Sequence, residues 1–172
     1  SVGNATYQLA RAQGAEKVLS TAGSAAKAAR ARELGFEDVI DLTTEALADG
    51  VHRLTAGKGV DIVIDSIGGT VTSDALSSLG TGGVLITLGY SGGRRTMIDV
   101  TDLIWKRARM EGFSLFGQSP TVVATAWRDI FSLIASGSVK PIVERVYPLA
   151  EAGEALRHLI EDRPFGKVIL TM

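Results

Sequence analysis

Two runs limit what this chain can become: Val60-Asp61-Ile62-Val63-Ile64-Asp65 and Val84-Leu85-Ile86-Thr87-Leu88. Both are β-branched or aliphatic almost throughout. A sheet built from such strands has to be covered on both faces. Helix-like stretches separate these runs from their neighbours. Ser24 stands where it can cap a helix over residues 25–34, which Gly35 ends. Thr43 or Thr44 is placed to cap another helix, with Leu47, Val51 and Leu54 on one face and Gly57 and Gly59 closing it. Residues 17–21 and 38–41 read as further strands, and residues 4–13 and 73–79 as further helices. Such alternation predicts an α/β fold, a doubly wound parallel sheet with right-handed crossovers.

Beyond Gly92 the rhythm changes. Residues 99–110 read as a helix, 113–116 as a short apolar strand and 121–135 as a longer helix. Pro141 and Pro148 bracket a strand over 142–147, followed by a helix over 150–161 and a last strand over 167–171. Trp105 and Trp127 fall on apolar helix faces and are expected in the core. Net charge of −1 gives no reason to expect nucleic acid or an anionic membrane as partner. Without cysteine there is no disulfide and no thiolate zinc site. The two histidines, His52 and His158, have no second histidine at ligand spacing and read as solvated helix residues. No run approaches the roughly 18 apolar residues of a membrane span. A soluble, cytoplasmic protein is expected.

Chemistry-bearing residues gather where strands end. Ser1-Val2-Gly3 enters a helix, and a strand follows about 15 residues later, the arrangement of a dinucleotide-binding turn whose first strand lies outside the sequence. Small residues there let backbone amides approach a pyrophosphate. After the next strand come Thr21-Ala22-Gly23-Ser24, with Lys27 one turn into the helix. An acid at this point would accept from ribose hydroxyls; a hydroxyl, a lysine and a helix N-terminus suit a 2′-phosphate, so NADPH is expected over NADH. Asp65-Ser66-Ile67-Gly68-Gly69 and Gly89-Tyr90-Ser91-Gly92-Gly93 end two further strands, where doubly wound sheets bind ligands. Arg94 and Arg95 read as a solvated loop pair. No Gly-x-Ser-x-Gly elbow, paired-carboxylate constellation or Tyr-x-x-x-Lys pair is present.

Taken together, these stretches resemble the quinone oxidoreductase branch of the medium-chain dehydrogenase/reductase family. The matching runs include Gln8-Leu9-Ala10-Arg11-Ala12-Gln13-Gly14-Ala15, Glu33-Leu34-Gly35, Gly59-Val60-Asp61, Ser132-Leu133-Ile134-Ala135-Ser136-Gly137, Tyr147-Pro148-Leu149 and Gly166-Lys167-Val168-Ile169-Leu170. The resemblance implies a Rossmann-type cofactor domain lacking its first strand over residues 1–125. It also implies a segment over 126–172 that would return to a GroES-like catalytic domain. The implied chemistry is hydride transfer from NADPH to a quinone, an enone or an enoyl thioester, without zinc. Cofactor contacts would fall on Val2, Gly3, Gly23, Ser24, Lys27, Ser66, Gly89, Tyr90, Ser91 and Phe116, and no catalytic residue is implied. Relatives often place an aromatic or histidine where Leu42 stands, which loosens the implied grip on the 2′-phosphate. A homodimer through the 113–116 strand is also implied. The alternatives are an enoyl-reductase segment of a multidomain synthase and a non-catalytic nucleotide-binding protein. A missing central strand would leave two sheet edges unpaired. Upstream residues, a neighbouring chain or the 167–171 tail is expected to fill that gap.

Overall fold

The structure is a computed structural model that describes residues 2–172. In chain order it runs α1 (Val2–Ala12), β1 (Leu19–Ala22), α2 (Ala25–Glu33), β2 (Asp38–Asp41) and α3 (Leu47–Thr55). Then come β3 (Val60–Asp65), α4 (Thr70–Ser77), β4 (Leu79–Thr87), α5 (Val100–Lys106) and β5 (Arg109–Gly112). The remainder is α6 (Pro120–Ala135), β6 (Val143–Pro148), α7 (Ala152–Glu161) and β7 (Lys167–Thr171). The chain divides into two compact units. One is Leu19–Val122; the other joins the residues up to Val18 with Val123–Met172.

Within Leu19–Val122 every strand pairing is parallel, as the apolar runs demand. β1 lies beside β2, with Leu19 opposite Asp38 and Ala22 opposite Asp41. A second sheet has the order β3-β4-β5, with Ile64 opposite Ile86 and Thr87 opposite Gly112. Its core is Ala75 and Leu76 of α4 with Leu79 and Leu85 of β4. Leu47, Val60, Val63, Ile98, Leu103 and Ala108 pack around them. Leu76, Leu79 and Leu85 are fully buried, each contributing about 1.5–3 kcal/mol by leaving water.

Ser24 caps α2 as expected, its hydroxyl accepting from the Lys27 amide. Neither Thr43 nor Thr44 caps α3. Both turn back on Asp41: the Thr43 amide and hydroxyl donate to its Oδ1, and the Thr44 hydroxyl to its carbonyl. Ala46 is the N-cap instead, and it supplies no side-chain hydrogen bond. The stretch expected as one helix over 99–110 stops at Lys106, where Arg107 turns left-handed. The following strand is therefore Arg109–Gly112, not 113–116. Pairing with Val84–Thr87 places it, whereas residues 115–117 form a single 3₁₀ turn. Both tryptophans are exposed rather than core. Trp105 lies outside the packing face that Leu103 supplies on α5, and Trp127 stacks on Phe131 one turn along α6 at 5.6 Å.

Among the described residues no strand pairs with the second edge of β1 or of β3. Ile62 on β3 is 60% exposed, as that open edge implies. The tail does not fill the gap, contrary to one expectation. β7 pairs in parallel with β6 through the short α7 crossover, with Val146 opposite Ile169. Pairing across so few intervening residues costs little loop entropy, so the local βαβ unit takes the tail. In that same unit Asn4 of α1 donates to the Phe165 carbonyl, and Gln8 exchanges two hydrogen bonds with the Lys140 backbone.

Candidate cofactor site

At the carboxyl ends of β3 and β4 two glycine loops lock together. The buried Asp65 ends β3. Its Oδ1 accepts from the Ile67 and Gly68 amides at 2.8 and 3.0 Å, and its Oδ2 from the Thr72 hydroxyl at 2.6 Å. The chain then turns through Gly68 and Gly69, both left-handed with φ of +74° and +62°. Neither could carry a side chain: a Cβ would lie 2.6 Å from the Gly93 carbonyl oxygen in one case and 2.6 Å from that of Gly92 in the other. The Gly92 amide donates to the Ile67 carbonyl at 2.6 Å, and Gly68 bridges Gly93 in parallel fashion. At Gly89 a Cβ would collide with the Ser66 carbonyl oxygen.

A cavity of about 620 Å³ opens beside this lock. Gly68, Gly69, Gly89 and Gly93 form one side, and Met110, Gly112, Phe113 and Ser114 close the β5 side. Of the sequence-predicted residues, Gly89 and Tyr90 line it; Ser66, Ser91 and Phe116 do not, and the Phe116 side chain is fully exposed. Arg94 and Arg95 are exposed, as a solvated loop pair is expected to be, and they border the cavity's open side. Sequence reasoning passed over Thr72, Thr87, Thr96 and Ser114. It also missed the supporting role of Asp65, although an aspartate two and three residues before backbone amides is an Asx-turn signal.

Gly23, Ser24 and Lys27 lie at the end of β1 and in the first turn of α2. The space over Gly23 is open, with nothing within 4 Å of a would-be Cβ. The Lys27 ammonium makes no ion pair among the described residues. Leu42 follows β2, its amide held by the Ala22 carbonyl, and lines a second cavity of about 170 Å³ with Glu45 and Asp74. Val2 and Gly3 stand in the first turn of α1, in the other compact unit, and Gly3 is likewise open above its Cα. Ser1 lies outside the described residues. His158, expected to be solvated, is mostly buried on α7, where its Nδ1 lies 2.7 Å from Asp162 Oδ2; His52 is exposed as expected.

Glycine turns at the carboxyl ends of parallel strands, beside an open cavity, are the geometry of a dinucleotide site. Residues 1–135 match the family described as zinc-binding dehydrogenase. This chain belongs to it, in the quinone oxidoreductase-like branch of the medium-chain dehydrogenase/reductases.

Quinone oxidoreductase 1 of Escherichia coli is 33% identical over 170 residues, covering 94% of this chain and 50% of that protein. Mycoketide-CoA synthase of Mycobacterium tuberculosis is 31% identical over 99% of this chain, which is 4% of the synthase. The crystal structure of E. coli quinone oxidoreductase complexed with NADPH superposes with a TM-score of 0.85 at 32% identity, over all of this chain and 54% of that one. A crystal structure of an NAD-dependent alcohol dehydrogenase gives 0.83 at 30% identity, over 100% and 48%. The chain thus spans about half the length of the quinone oxidoreductases it matches.

The family's description names zinc, and this chain's donors do not fit it. There is no cysteine, the two histidines stand on α3 and α7, and among the described residues no three ligating side chains gather.

Proposed function

We propose that this chain is the cofactor-binding part of a cytoplasmic, zinc-independent reductase that takes hydride from NADPH and passes it to a quinone or enone. The observation that carries this reading is the end of β1, where Ala22-Gly23-Ser24 stands in place of an acid and a Lys27 ammonium with no ion pair among the described residues follows one turn later. When bound, NADPH supplies the hydride. The chain's own residues bind and orient. Gly23 leaves its backbone open to close approach, and Ser24 spends its hydroxyl on the α2 amide of Lys27, fixing that helix N-terminus. Lys27 then offers charge-assisted hydrogen bonds to a 2′-phosphate. Val2 and Gly3 would offer amides of the first turn of α1, and Ser66, Gly89, Tyr90, Ser91 and Phe116 would contact the cofactor beyond its pyrophosphate.

A second reading, the enoyl-reductase segment of a synthase acting on an enoyl thioester, is favoured by the match to mycoketide-CoA synthase. Both readings need the same cofactor. Fluorescence titration of the 172-residue chain with NADPH and NADH tests it: tighter binding of NADPH is expected, and equal affinities would refute the preference. Little or no quinone turnover is expected from a chain half the length of its relatives, because the cleft in such enzymes lies between two lobes. Sustained turnover by material free of contaminating reductase would refute that.

A further inference from the structure

The β3–β5 cavity carries two charges, and both are positive. Arg94 and Arg95 line it with glycines, threonines and apolar residues, and no carboxylate stands among its lining residues. Neither arginine makes an ion pair among the described residues. The chain as a whole carries a net charge of −1, so this is a local excess. Both side chains are exposed, and the loop that carries them is anchored at its two ends. Immediately before the pair, Gly93 is bridged to Gly68 and its amide donates to the Tyr90 carbonyl; just after it, Ile98 packs against the Leu76–Leu85 core. The Arg94 guanidinium lies over the Tyr90 ring, 5.7 Å from its centre, a contact that steadies the side chain without spending its hydrogen-bond donors.

A cavity lined by one sign of charge against low-dielectric walls concentrates its field and draws the opposite charge. A neutral quinone offers guanidinium groups only single carbonyl acceptors without opposite charge. A carboxylate or phosphate matches their planar donor pairs. We infer that Arg94 and Arg95 form an anion-binding subsite that takes the carboxylate or phosphate of an anionic hydride acceptor. The inference rests on the proposed function for the word acceptor, but the anion site stands on its own geometry. The cofactor's own phosphates are the competing source of the same chemistry.

The test is an amide NMR titration of the 172-residue chain with acrylate, inorganic phosphate and neutral acrylamide. Acrylate and phosphate should shift resonances of residues 89–96 and 112–114 saturably, and acrylamide should not. Arg94→Gln with Arg95→Gln should weaken acrylate binding at least fivefold while leaving distant resonances in place; Arg157→Gln, on α7, should leave it unchanged. With NADPH saturating, acrylate should still bind. Competition between the two would overturn the acceptor assignment and give the subsite to the cofactor's phosphates. Acrylate binding without any NADPH binding would overturn the proposed function and leave the subsite standing. Equal shifts from acrylamide, or undiminished binding by the double variant, would overturn the subsite itself.

Discussion

The Thr72 hydroxyl donates to Asp65 Oδ2 at 2.6 Å, and both residues are buried. That bond ties the first turn of α4 to the end of β3. The other carboxyl oxygen holds the Ile67 and Gly68 amides, so one side chain sets the turn that carries Gly68 and Gly69 into the cavity wall. Asp65→Ala strands three donors at about 1–3 kcal/mol each when buried, and should cost at least about 2 kcal/mol. Thr72→Val removes a single bond and should cost about 1 kcal/mol. Urea unfolding measures both. An Asp65→Ala loss no larger than that of Thr72→Val would show that the carboxyl group does not organise the turn.

Gly89 and Gly112 both line the cavity, but only one is pressed against backbone. A Cβ at Gly89 meets the Ser66 carbonyl, while at Gly112 it meets nothing within 4 Å. Gly89→Ala should push the two glycine loops apart, costing about 1–3 kcal/mol as overpacking does. Gly112→Ala should change stability by no more than about 0.5 kcal/mol. Thermal melts of the two variants side by side decide it; similar Tm values would mean that the loops are not interlocked as described.

Lys27 offers the one cation in the first turn of α2. Lys27→Ala should weaken NADPH binding by about 1–2 kcal/mol, the scale of one charge-assisted hydrogen bond, and leave NADH affinity where it was. Titration of both cofactors against both proteins provides the check. An equal loss for NADH would mean the substitution disturbs α2 rather than a phosphate contact.

Much of this fold is legible in the sequence. The apolar runs gave β3 and the start of the second sheet, and Asp38–Asp41 and Lys167–Thr171 emerge as β2 and β7. What misled was chemistry that depends on tertiary partners. Thr43 and Thr44 look like caps, but Asp41 takes their hydrogen bonds first. Arg109-Met110-Glu111-Gly112 has no strand-like apolar pattern; the exposed edge of β4 imposes its conformation, while the more apolar stretch that follows keeps one bond, Phe113 amide to Thr87 carbonyl, and then leaves the sheet. In the site, the glycine turns could be read from their strand-end positions. The clamp by Asp65 and the position of Arg94 and Arg95 on the cavity rim could not, because both depend on which loops meet.

Two carboxyl groups make stability depend on acidity. The Thr43 hydroxyl, then its amide, hold the Asp41 carboxyl below the ordinary carboxylate range, with Arg32 nearby adding to the effect. The Ser77 hydroxyl, followed by Lys106, does the same for Asp102. A pKa lower in the folded than in the unfolded chain stabilises above the unfolded value, about 4, and that contribution fades as pH falls through the folded value. Stability should therefore drop on acidification below about pH 4. Asp41→Asn with Asp102→Asn should flatten that limb while costing stability at pH 7. Denaturant midpoints across pH 2–7 with unchanged slopes in the variant would contradict it.

β5 has β4 on one edge and, among the described residues, nothing on the other, and all four of its residues are exposed. An open edge of this kind invites another strand. We propose that it pairs with the same strand of a second copy, which moves the expected dimer contact from 113–116 to Arg109–Gly112. Two-fold symmetry requires antiparallel, self-complementary pairing, in which residue i faces j and j faces i. A register centred on Met110 sets Arg109 opposite Glu111 twice. Those two side chains already lie 4.0 Å apart within one chain, so they share a face and can exchange partners across the axis. Glu111→Arg would then place like charges opposite each other twice and should shift the chain toward monomer. Arg109→Glu combined with Glu111→Arg restores the pairs and should recover the dimer. Light scattering at high micromolar concentration reads the outcome. A monomeric wild-type chain, or a dimer indifferent to Glu111→Arg, would place the assembly contact elsewhere.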